Sequence, residues 1–437
     1  MNYHLIGIGG AGMSVVAELL AARGHAVQGS DAKESAVLAK LRDSGIRAFA
    51  GHDAAHVTPG MTVVVSSAIR DTNPELVRAR ELSLDVIHRS QALALASEGQ
   101  DFVAVAGAHG KTTTSGMIAV ALREAGLDPS FAIGGTVIGV GSGAHLGRGP
   151  VIVAEADESD GSFLNYAPRI AVVTNVEPDH LDHYGSREAF TRAFHDFVGR
   201  IVPGGLLVAC RDDDGAHELL DFAGGAGVRV LAYGRAGADL LVEGETLVWR
   251  GERHPLDLRV KGEHNRLNAA AAFAVGLELG VEPALMARCL GAFRGTGRRF
   301  EAHGVRHGVR VIDDYAHHPT EVEATLRTAR VEAGGGRVLV VFQPHLFSRT
   351  RDFAERFAAA LDLADDVVVT AIYPAREDPI PGVTSELVTS RMTHGQYVAD
   401  LHEAARLIAG RARPGDIILT MGAGDVTDLG DEIVGRL

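Results

Sequence analysis

Residues 102–114 read Phe102-Val-Ala-Val-Ala-Gly-Ala-His-Gly-Lys-Thr-Thr-Thr114, an apolar run followed by a glycine-rich turn and a polar segment. The apolar run predicts a buried strand, and Ser115 to Ala125 has the pattern of a helix. A glycine-rich turn between a strand and a helix lets backbone amides and the helix N-terminus surround a phosphate group. The segment therefore predicts a phosphate-binding loop, whose residues are Gly107, Ala108, His109, Gly110, Lys111, Thr112 and Thr113.

Two side chains of this loop have the chemistry that nucleotide phosphates require. Lys111 supplies a positive charge, and the hydroxyl group of Thr112 can bind Mg²⁺. The strict spacing of such loops is not met, because Val105 stands where the first glycine is expected. A threonine run that only caps a helix is the alternative interpretation. Lys111 argues against it, since a cation in the first turn of a helix opposes the helix dipole unless it binds an anion.

Strand-like runs alternate with amphipathic helical stretches on both sides of this loop, which favours parallel α/β sheets. We predict three α/β domains in series, at residues 1–95, 96–294 and 295–437: two Rossmann-like domains flank a central domain of the phosphate-loop ATPase type. Within the central domain, residues 228–260 predict a small antiparallel appendage, and residues 263–280 predict its last helix. The glycine-rich segment 293–297 predicts a hinge.

Composition limits the class of protein. The chain has 437 residues with 42 Lys+Arg against 56 Asp+Glu, a formal net charge of −14, so nucleic acid is a poor partner. The sequence has no apolar run of the roughly 18 residues that a membrane helix needs, and we expect no membrane insertion. It has two cysteines, Cys210 and Cys289, far apart, which favours a reducing, cytoplasmic location. We expect a monomer or a homodimer.

A second glycine loop lies near the N-terminus. Gly7, Gly9, Gly10 and Gly12 follow a predicted strand and precede a helix, which is the pattern of a diphosphate-binding turn. Asp31 comes nineteen residues after Gly12, where a carboxylate can meet a ribose hydroxyl. This pattern first suggests a dinucleotide cofactor. A tight turn that merely needs glycine is the alternative.

Four carboxylates follow the predicted strand at residues 151–154, in the run Glu155-Ala-Asp-Glu-Ser-Asp160. Glu155 stands at the tip of that strand, as a Mg²⁺ ligand should, whereas we interpret Asp157, Glu158 and Asp160 as a solvated loop. His180 follows a neighbouring strand, but Mg²⁺ prefers oxygen ligands, so its chemistry alone does not favour it as a ligand.

Two strand ends of the third domain carry aromatic and basic residues. Asp313-Asp-Tyr-Ala-His317 follows one predicted strand, and Gln343-Pro-His-Leu-Phe-Ser-Arg-Thr-Arg351 follows another. Tyrosine and histidine at strand ends suggest a site for an aromatic base, and arginine suggests a clamp for carboxylates. We therefore expect Arg349 and Arg351 to bind anions.

Taken in order, these motifs resemble those of the Mur ligase family across all three domains. The motifs that carry the resemblance are Gly7-Ile-Gly-Gly-Ala-Gly-Met13, Gly107-Ala-His-Gly-Lys-Thr-Thr113, Glu155-Ala-Asp-Glu-Ser-Asp-Gly-Ser162, Asn175-Val-Glu-Pro-Asp-His180, His264-Asn-Arg-Leu-Asn268, Asp313-Asp-Tyr-Ala-His-His-Pro-Thr-Glu321, Phe342-Gln-Pro-His345 and Arg349-Thr-Arg351.

The resemblance implies an ATP-dependent ligase that joins L-alanine to the carboxylate of UDP-N-acetylmuramate in cell-wall precursor synthesis. It assigns the first domain to the UDP-sugar, with the first glycine loop on its diphosphate, the central domain to ATP and the third to the amino acid. It makes Thr112, Glu155 and His180 ligands of Mg²⁺, and makes Asn268 and Tyr315 neighbours of the adenine. His317 and Arg349 would then lie near the amino-acid end of the reaction.

The sequence departs from the family pattern at two positions. Ala108 replaces a commoner threonine, and Leu346 stands where an arginine is usual, which removes one anion contact. Two other functions stay open: a related ligase that recycles a preformed peptide onto the same sugar nucleotide, and a dinucleotide-dependent oxidoreductase. The oxidoreductase would leave Lys111 and the acidic run without a role.

Overall fold

The computed structural model describes residues 1–178, 184–375 and 377–437. The described residues form two compact units, one made of Met1–Arg259 and Asn265–Arg294 and the other of Val260–His264 and Gly295–Leu437. His180 lies outside the described residues, so its prediction as a ligand has no structural counterpart here.

The first sheet belongs to the N-terminal part of the first unit. Its five described strands are all parallel and lie in the order β3-β2-β1-β4-β5. The central position of β1 places the first glycine loop at the carboxyl edge of the sheet, where ligands bind in open α/β folds. The strands are β1 (Asn2–Ile6), β2 (Ala26–Asp31), β3 (Arg47–Ala50), β4 (Met61–Val65) and β5 (Val86–His88). The helices are Ala11–Ala22, Ala36–Asp43, Pro74–Glu81 and Arg89–Ala96, with a 3₁₀ turn at Ala54–His56.

The second sheet belongs to the same unit and has ten described strands in the order β15-β14-β13-β12-β11-β10-β6-β9-β7-β8. The strands are β6 (Asp101–Ala106), β7 (Ser130–Val137), β8 (Ser142–His145), β9 (Val151–Glu155), β10 (Ile170–Val173), β11 (Leu206–Cys210), β12 (Arg229–Gly234), β13 (Leu240–Glu243), β14 (Thr246–Trp249) and β15 (Glu252–Pro255). The helices are Lys111–Glu124, Arg187–Val198, Asp214–Gly225, Glu263–Glu278 and Pro283–Leu290, with a 3₁₀ turn at Ser162–Asn165.

The middle of this sheet explains its apolar sequence. β6 is parallel to β9 on one side and to β10 on the other, and almost every residue of these three strands is buried. Parallel strands are covered by helices on both faces, so they consist of unbroken aliphatic runs rather than alternating patterns. The apolar runs at 102–106 and 151–154 predict strands, and the structure confirms them as β6 and β9.

Three details of the second sheet differ from the sequence prediction. The helix after the phosphate loop begins at Lys111 rather than at Ser115. Residues 228–260 are only partly antiparallel, because β12 and β13 continue the parallel ladder and only β13, β14 and β15 pair antiparallel. The helix Glu263–Glu278 is not the last, since Pro283–Leu290 follows it, started by Glu282 as its N-cap.

The second unit contains a sheet of six described strands in the order β16-β17-β21-β18-β19-β20. All neighbouring pairs are parallel except β16 and β17. The strands are β16 (Glu301–Arg306), β17 (Val309–Asp314), β18 (Val338–Phe342), β19 (Asp366–Val369), β20 (Gln396–Tyr397) and β21 (Ile417–Met421). The helices are Pro319–Ala333, Phe347–Leu361, Glu386–Thr389, Leu401–Arg411 and Leu429–Arg436, with a 3₁₀ turn at Asp425–Asp428.

Three predominantly parallel sheets with flanking helices confirm the predicted fold class. The exact domain ranges 1–95, 96–294 and 295–437 stay predictions. Among the described helices, none has both the length and the apolar character needed to cross a membrane.

Candidate active site

The phosphate loop connects β6 to the helix Lys111–Glu124, and its glycines are required by its shape. Gly107 and Gly110 have φ values of +131° and +82°, a region that glycine enters without strain. Each is also closely approached: a Cβ atom on Gly110 would lie 2.9 Å from Oδ1 of Asn268, and one on Gly107 would collide with the hydroxyl group of Thr174. The loop therefore follows a path that only glycine permits at both positions.

Asn175, which follows β10, holds the middle of the loop. Its Oδ1 accepts a hydrogen bond from the backbone N–H of His109 at 3.0 Å, and its Nδ2 donates to the carbonyl of the same residue at 2.9 Å. The His109 ring lies 3.2 Å from Oε2 of Glu177. Sequence reasoning quoted Asn175 only as part of a motif and missed this role. Its position directly after a strand that neighbours β6 is the signal that could have revealed it.

Lys111 has its ammonium group turned back toward its own loop. Its Nζ donates to the carbonyl of Gly107 at 2.6 Å and lies 3.4 Å from that of Ala108. It also lies 2.9 Å and 2.8 Å from the two carboxylate oxygens of Glu158. Burial acts to lower the pKa of Lys111, but the carboxylates of Glu158 and Asp157 outweigh it and raise that pKa. Lys111 therefore carries its positive charge.

The prediction of a solvated acidic loop is wrong for Glu158. Its side chain is 1% exposed, and its carbonyl accepts hydrogen bonds from the hydroxyl of Tyr184 and from the N–H of Gly161. Burial raises the pKa of Glu158 to about 7, Lys111 opposes that rise, and Asp157 adds to it. Local sequence could not distinguish Glu158 from its neighbours, because its burial depends on the distant Tyr184 and Lys111.

Asp157 and Asp160 are also paired rather than merely solvated, and their partners lie in the N-terminal part of the same unit. Asp157 Oδ2 accepts a hydrogen bond from Arg89 at 3.3 Å. Asp160 Oδ2 accepts one from Ser67 at 2.9 Å and lies 3.7 Å from the ring of His88. These three residues connect the acidic run with the first sheet.

Glu155 ends β9 opposite Val105, so its carboxylate stands at the same sheet edge as the phosphate loop. Oε1 of Glu155 accepts a hydrogen bond from the N–H of Gly134 at 2.9 Å. A strand-end carboxylate and the hydroxyl group of Thr112 are the hard oxygen donors that Mg²⁺ prefers. Of the predicted metal ligands, the structure describes these two, and their chemistry fits the ion.

The first glycine loop has the turn that its sequence predicts. Gly7 has a φ of +81°, and the N–H of Gly9 donates to Oδ2 of Asp31 at 2.9 Å. Asp31 thus supports the loop itself. Arg89 lies so close to Gly12 that a Cβ atom there would be 2.6 Å from Nη1 of Arg89. A cavity of about 150 Å³ lies beside Gly12, and it is lined by Gly12, Arg89, Gly134, Glu155, Asp157 and Tyr166, among others.

No sequence pattern predicts the buried carboxylate of Glu75, which lies in a helix that flanks the first sheet. Glu75 is fully buried in the first turn of the helix Pro74–Glu81, and three imidazoles surround it. The rings of His56, His52 and His4 lie 2.7, 3.2 and 3.4 Å from its oxygens, and Ser30 donates a hydrogen bond to it. Burial acts to raise the pKa of Glu75, but the hydrogen bonds from His4 and Ser30 outweigh it and lower that pKa to about 2.

In the second unit, Tyr315, His317 and His345 come together from two strand ends. The His317 ring lies 5.1 Å from that of Tyr315 and 5.8 Å from that of His345, in edge-to-face arrangements. The guanidinium carbons of Arg298 and Arg299 lie 4.9 and 5.0 Å from the centroid of the Tyr315 ring.

The electrostatic state of this cluster is set by burial. Burial lowers the pKa of His317 to about 3, with Glu321 opposing and Arg349 adding to the effect, so His317 is neutral at neutral pH. Nη1 of Arg349 lies 3.3 Å from Nδ1 of His345, and Arg349 is itself 6% exposed. The structure therefore brings Arg349 close to His317 and His345.

Arg351 and Leu346 lie in different surroundings. Arg351 is half exposed and donates to Asp352 at 2.7 Å, so the structure does not place it in this cluster. Leu346 is 7% exposed, and its φ of +72° is costly for a residue with a branched side chain. Its N–H bonds to the carbonyl of Tyr373, which holds the strained backbone.

The fold and the site define a class: an α/β protein whose central sheet carries a glycine loop with a charged lysine and, at the same edge, a strand-end carboxylate. Family comparison makes this class specific. Residues 2–100 match the Mur ligase family catalytic domain, residues 105–276 the Mur ligase middle domain, and residues 298–424 the glutamate ligase domain of Mur ligases. The chain belongs to the Mur ligase family.

Individual relatives agree over the full length. The chain is 56% identical over 444 residues to a UDP-N-acetylmuramate–L-alanine ligase from Renibacterium salmoninarum, covering 99% of this chain and 95% of the relative. It is 49% identical over 457 residues to the ligase of the same name from Mycolicibacterium smegmatis, covering 99% and 94%. The UDP-N-acetylmuramate–alanine ligase of Thermotoga maritima superimposes with a TM-score of 0.80 at 31% identity, covering 100% of this chain and 99% of that one.

Proposed function

We propose that this protein joins L-alanine to the carboxylate of UDP-N-acetylmuramate at the expense of ATP, releasing ADP and phosphate. The observation that carries the proposal is the phosphate loop of β6, where Lys111 is charged beside the carboxylate of Glu155 at the end of β9. Relatives named for this reaction match 99% of the chain, which supports the choice of substrates.

The chemistry needs two anions to react. A carboxylate oxygen of the sugar nucleotide attacks the γ-phosphorus of ATP, the bond from phosphorus to the bridging oxygen breaks, and ADP leaves. The product is an acyl phosphate. Loop amides and the charge of Lys111 stabilise the transferring phosphoryl group. Thr112 and Glu155, with His180 as the third predicted ligand, would bind Mg²⁺. The ion would supply further positive charge on the phosphates.

The second step forms the amide. The amine of L-alanine attacks the carbonyl carbon of the acyl phosphate, phosphate leaves, and the nitrogen loses a proton. We assign the carboxylate of L-alanine to Arg349, whose planar guanidinium fits it with two hydrogen bonds. A histidine with a pKa of about 3 takes up no proton at neutral pH, so His317 would orient the amine rather than deprotonate it.

The other predicted binding residues keep their proposed roles. Gly7, Gly9, Gly10 and Gly12 would bind the UDP diphosphate, with Asp31 supporting the loop. Asn268, packed behind Gly110, and Tyr315 would lie near the adenine. Arg351, which pairs with Asp352, is the weakest of the proposed substrate contacts. We also propose that the protein works in the cytoplasm as a monomer or homodimer.

A direct assay tests the reaction. The protein is incubated with ATP, Mg²⁺, UDP-N-acetylmuramate and one amino acid at a time, and phosphate release and the amide product are measured. We expect turnover that depends on L-alanine and on the sugar nucleotide, and that falls by about two to four orders of magnitude in the Lys111→Ala variant. Product formed with L-alanyl-γ-D-glutamyl-meso-diaminopimelate in place of L-alanine would instead identify a peptide-recycling ligase.

A further inference from the structure

The ammonium group of Lys111 is saturated by its own chain. An ammonium has three N–H donors, and Nζ lies within 3.4 Å of three acceptors: the carbonyls of Gly107 and Ala108 and the carboxylate of Glu158. A phosphate group in the loop needs at least one of these donors. Its binding must therefore displace an existing partner of Lys111.

Of the three acceptors, the carboxylate of Glu158 is the one that opposes phosphate most. The two carbonyls are uncharged groups of the loop backbone itself. Above its raised pKa of about 7, Glu158 is a second anion beside the place that phosphate charge would occupy, and its burial prevents water from screening the repulsion. The loop of Glu158 is also fixed, because its carbonyl is bonded by Gly161 and Tyr184.

We infer that Glu158 competes with nucleotide phosphate for Lys111 and so weakens nucleotide binding, which makes it a positioning residue for the phosphate loop. The same ion pair holds the ammonium group beside the carbonyl of Gly107 in the loop. The inference rests on the proposed function, since it requires nucleotide at this loop.

The contacts around Glu158 suggest what the competition achieves. Glu158 belongs to the run that also carries Asp157 and Asp160. Those two residues contact His88 at the end of β5, Arg89 directly after it, and Ser67 after β4. The Lys111–Glu158 pair thus lies in a segment that is tied to residues flanking the first sheet. Arg89, one of these contacts, lies beside Gly12 of the first glycine loop.

The test is the dissociation constant of ADP, measured by calorimetry in EDTA so that metal binding does not contribute. Glu158→Gln keeps the shape and one acceptor oxygen but removes the charge. We expect ADP to bind it about three- to tenfold more tightly than the parent protein, which is about the worth of one partly buried ion pair. A merely structural defect would weaken binding, so the direction of the change is itself diagnostic. Unchanged or weaker binding overturns the inference.

Two further variants separate the competition from general charge removal. Asp160→Asn removes the same charge from the same run without touching Lys111, and we expect the dissociation constant of the parent. In the Lys111→Gln background, Glu158→Gln should give no gain in affinity. An equal gain in ADP affinity in the Lys111→Gln background, or in the Asp160→Asn variant, refutes the role of the ion pair. If the parent binds ADP neither in EDTA nor in Mg²⁺, the proposed function fails.

Discussion

Replacing Glu75 by glutamine should destabilise the first sheet. The carboxylate is fully buried, and its partners His4, His56 and Ser30 hold its pKa near 2 instead of 4.5. Each tenfold change in an acid constant is worth about 1.4 kcal/mol, so the ionised form contributes about 3 kcal/mol to folding at neutral pH. Glutamine cannot carry this charge, and a buried donor then loses its acceptor.

The lowered pKa of Glu75 also predicts how the stability of the protein changes with pH. A lowered pKa means that the unfolded chain binds the proton more tightly between about pH 4.5 and pH 2, so stability rises with pH across that window. The difference between parent and Glu75→Gln should be constant above about pH 4.5 and shrink as pH falls below it.

Hydrogen exchange read by mass spectrometry on peptides of β1 and β2 measures the local opening free energy and so avoids assuming two-state unfolding. Glu81→Gln is the matched control, because Glu81 ends the same helix but is largely exposed and pairs only with Arg78. We expect the control to change the free energy by less than about 0.5 kcal/mol. A change below about 1 kcal/mol in Glu75→Gln at pH 7 would refute the stabilising role of this carboxylate.

The remaining predictions concern catalysis. Lys111→Ala should fold normally but lose about two to four orders of magnitude in turnover, because a charge on the transferring phosphoryl group is gone; near-normal phosphate release would contradict the loop assignment. Glu155→Ala and His180→Ala should raise the Mg²⁺ concentration needed for half-maximal activity with little change in UDP-sugar binding, and an unaltered Mg²⁺ titration in both would place the metal elsewhere. Arg349→Ala and Arg349→Lys should both lose amide formation while ATP binding persists. Arg351→Ala is the control with a smaller effect, and an unchanged response of Arg349→Ala to L-alanine would move the assignment to Arg351.

Sequence predicted the strands of this protein better than the surroundings of its charged residues. The aliphatic runs at 102–106 and 151–154 became buried strands, because a parallel strand covered by helices on both faces is apolar whichever strands lie beside it. The charged groups depend on residues far away in the chain. Glu158 meets Lys111 and Tyr184, so no local pattern distinguishes it from Asp160.

Glu75 illustrates the same limit more strongly. An acidic residue after Pro74 in the first turn of a helix is an ordinary surface pattern, favoured by the helix dipole. Its histidine partners come from β1 and from the segment after β3, and only the sheet order brings these together. The backbone of Leu346 could not be predicted for a different reason. Leucine rarely adopts a positive φ, so nothing in the local sequence indicates this conformation.

The position of β6 between β9 and β10 has a consequence for synthesis on the ribosome. The phosphate loop emerges first, but Thr174 and Asn268, which pack against its glycines Gly107 and Gly110, lie much further along the chain. Since a protein is made from its N-terminus, the loop cannot take its final shape while those segments are still inside the ribosome. Nucleotide affinity should therefore appear late in translation, once the helix Glu263–Glu278 has been released and has packed onto the central sheet.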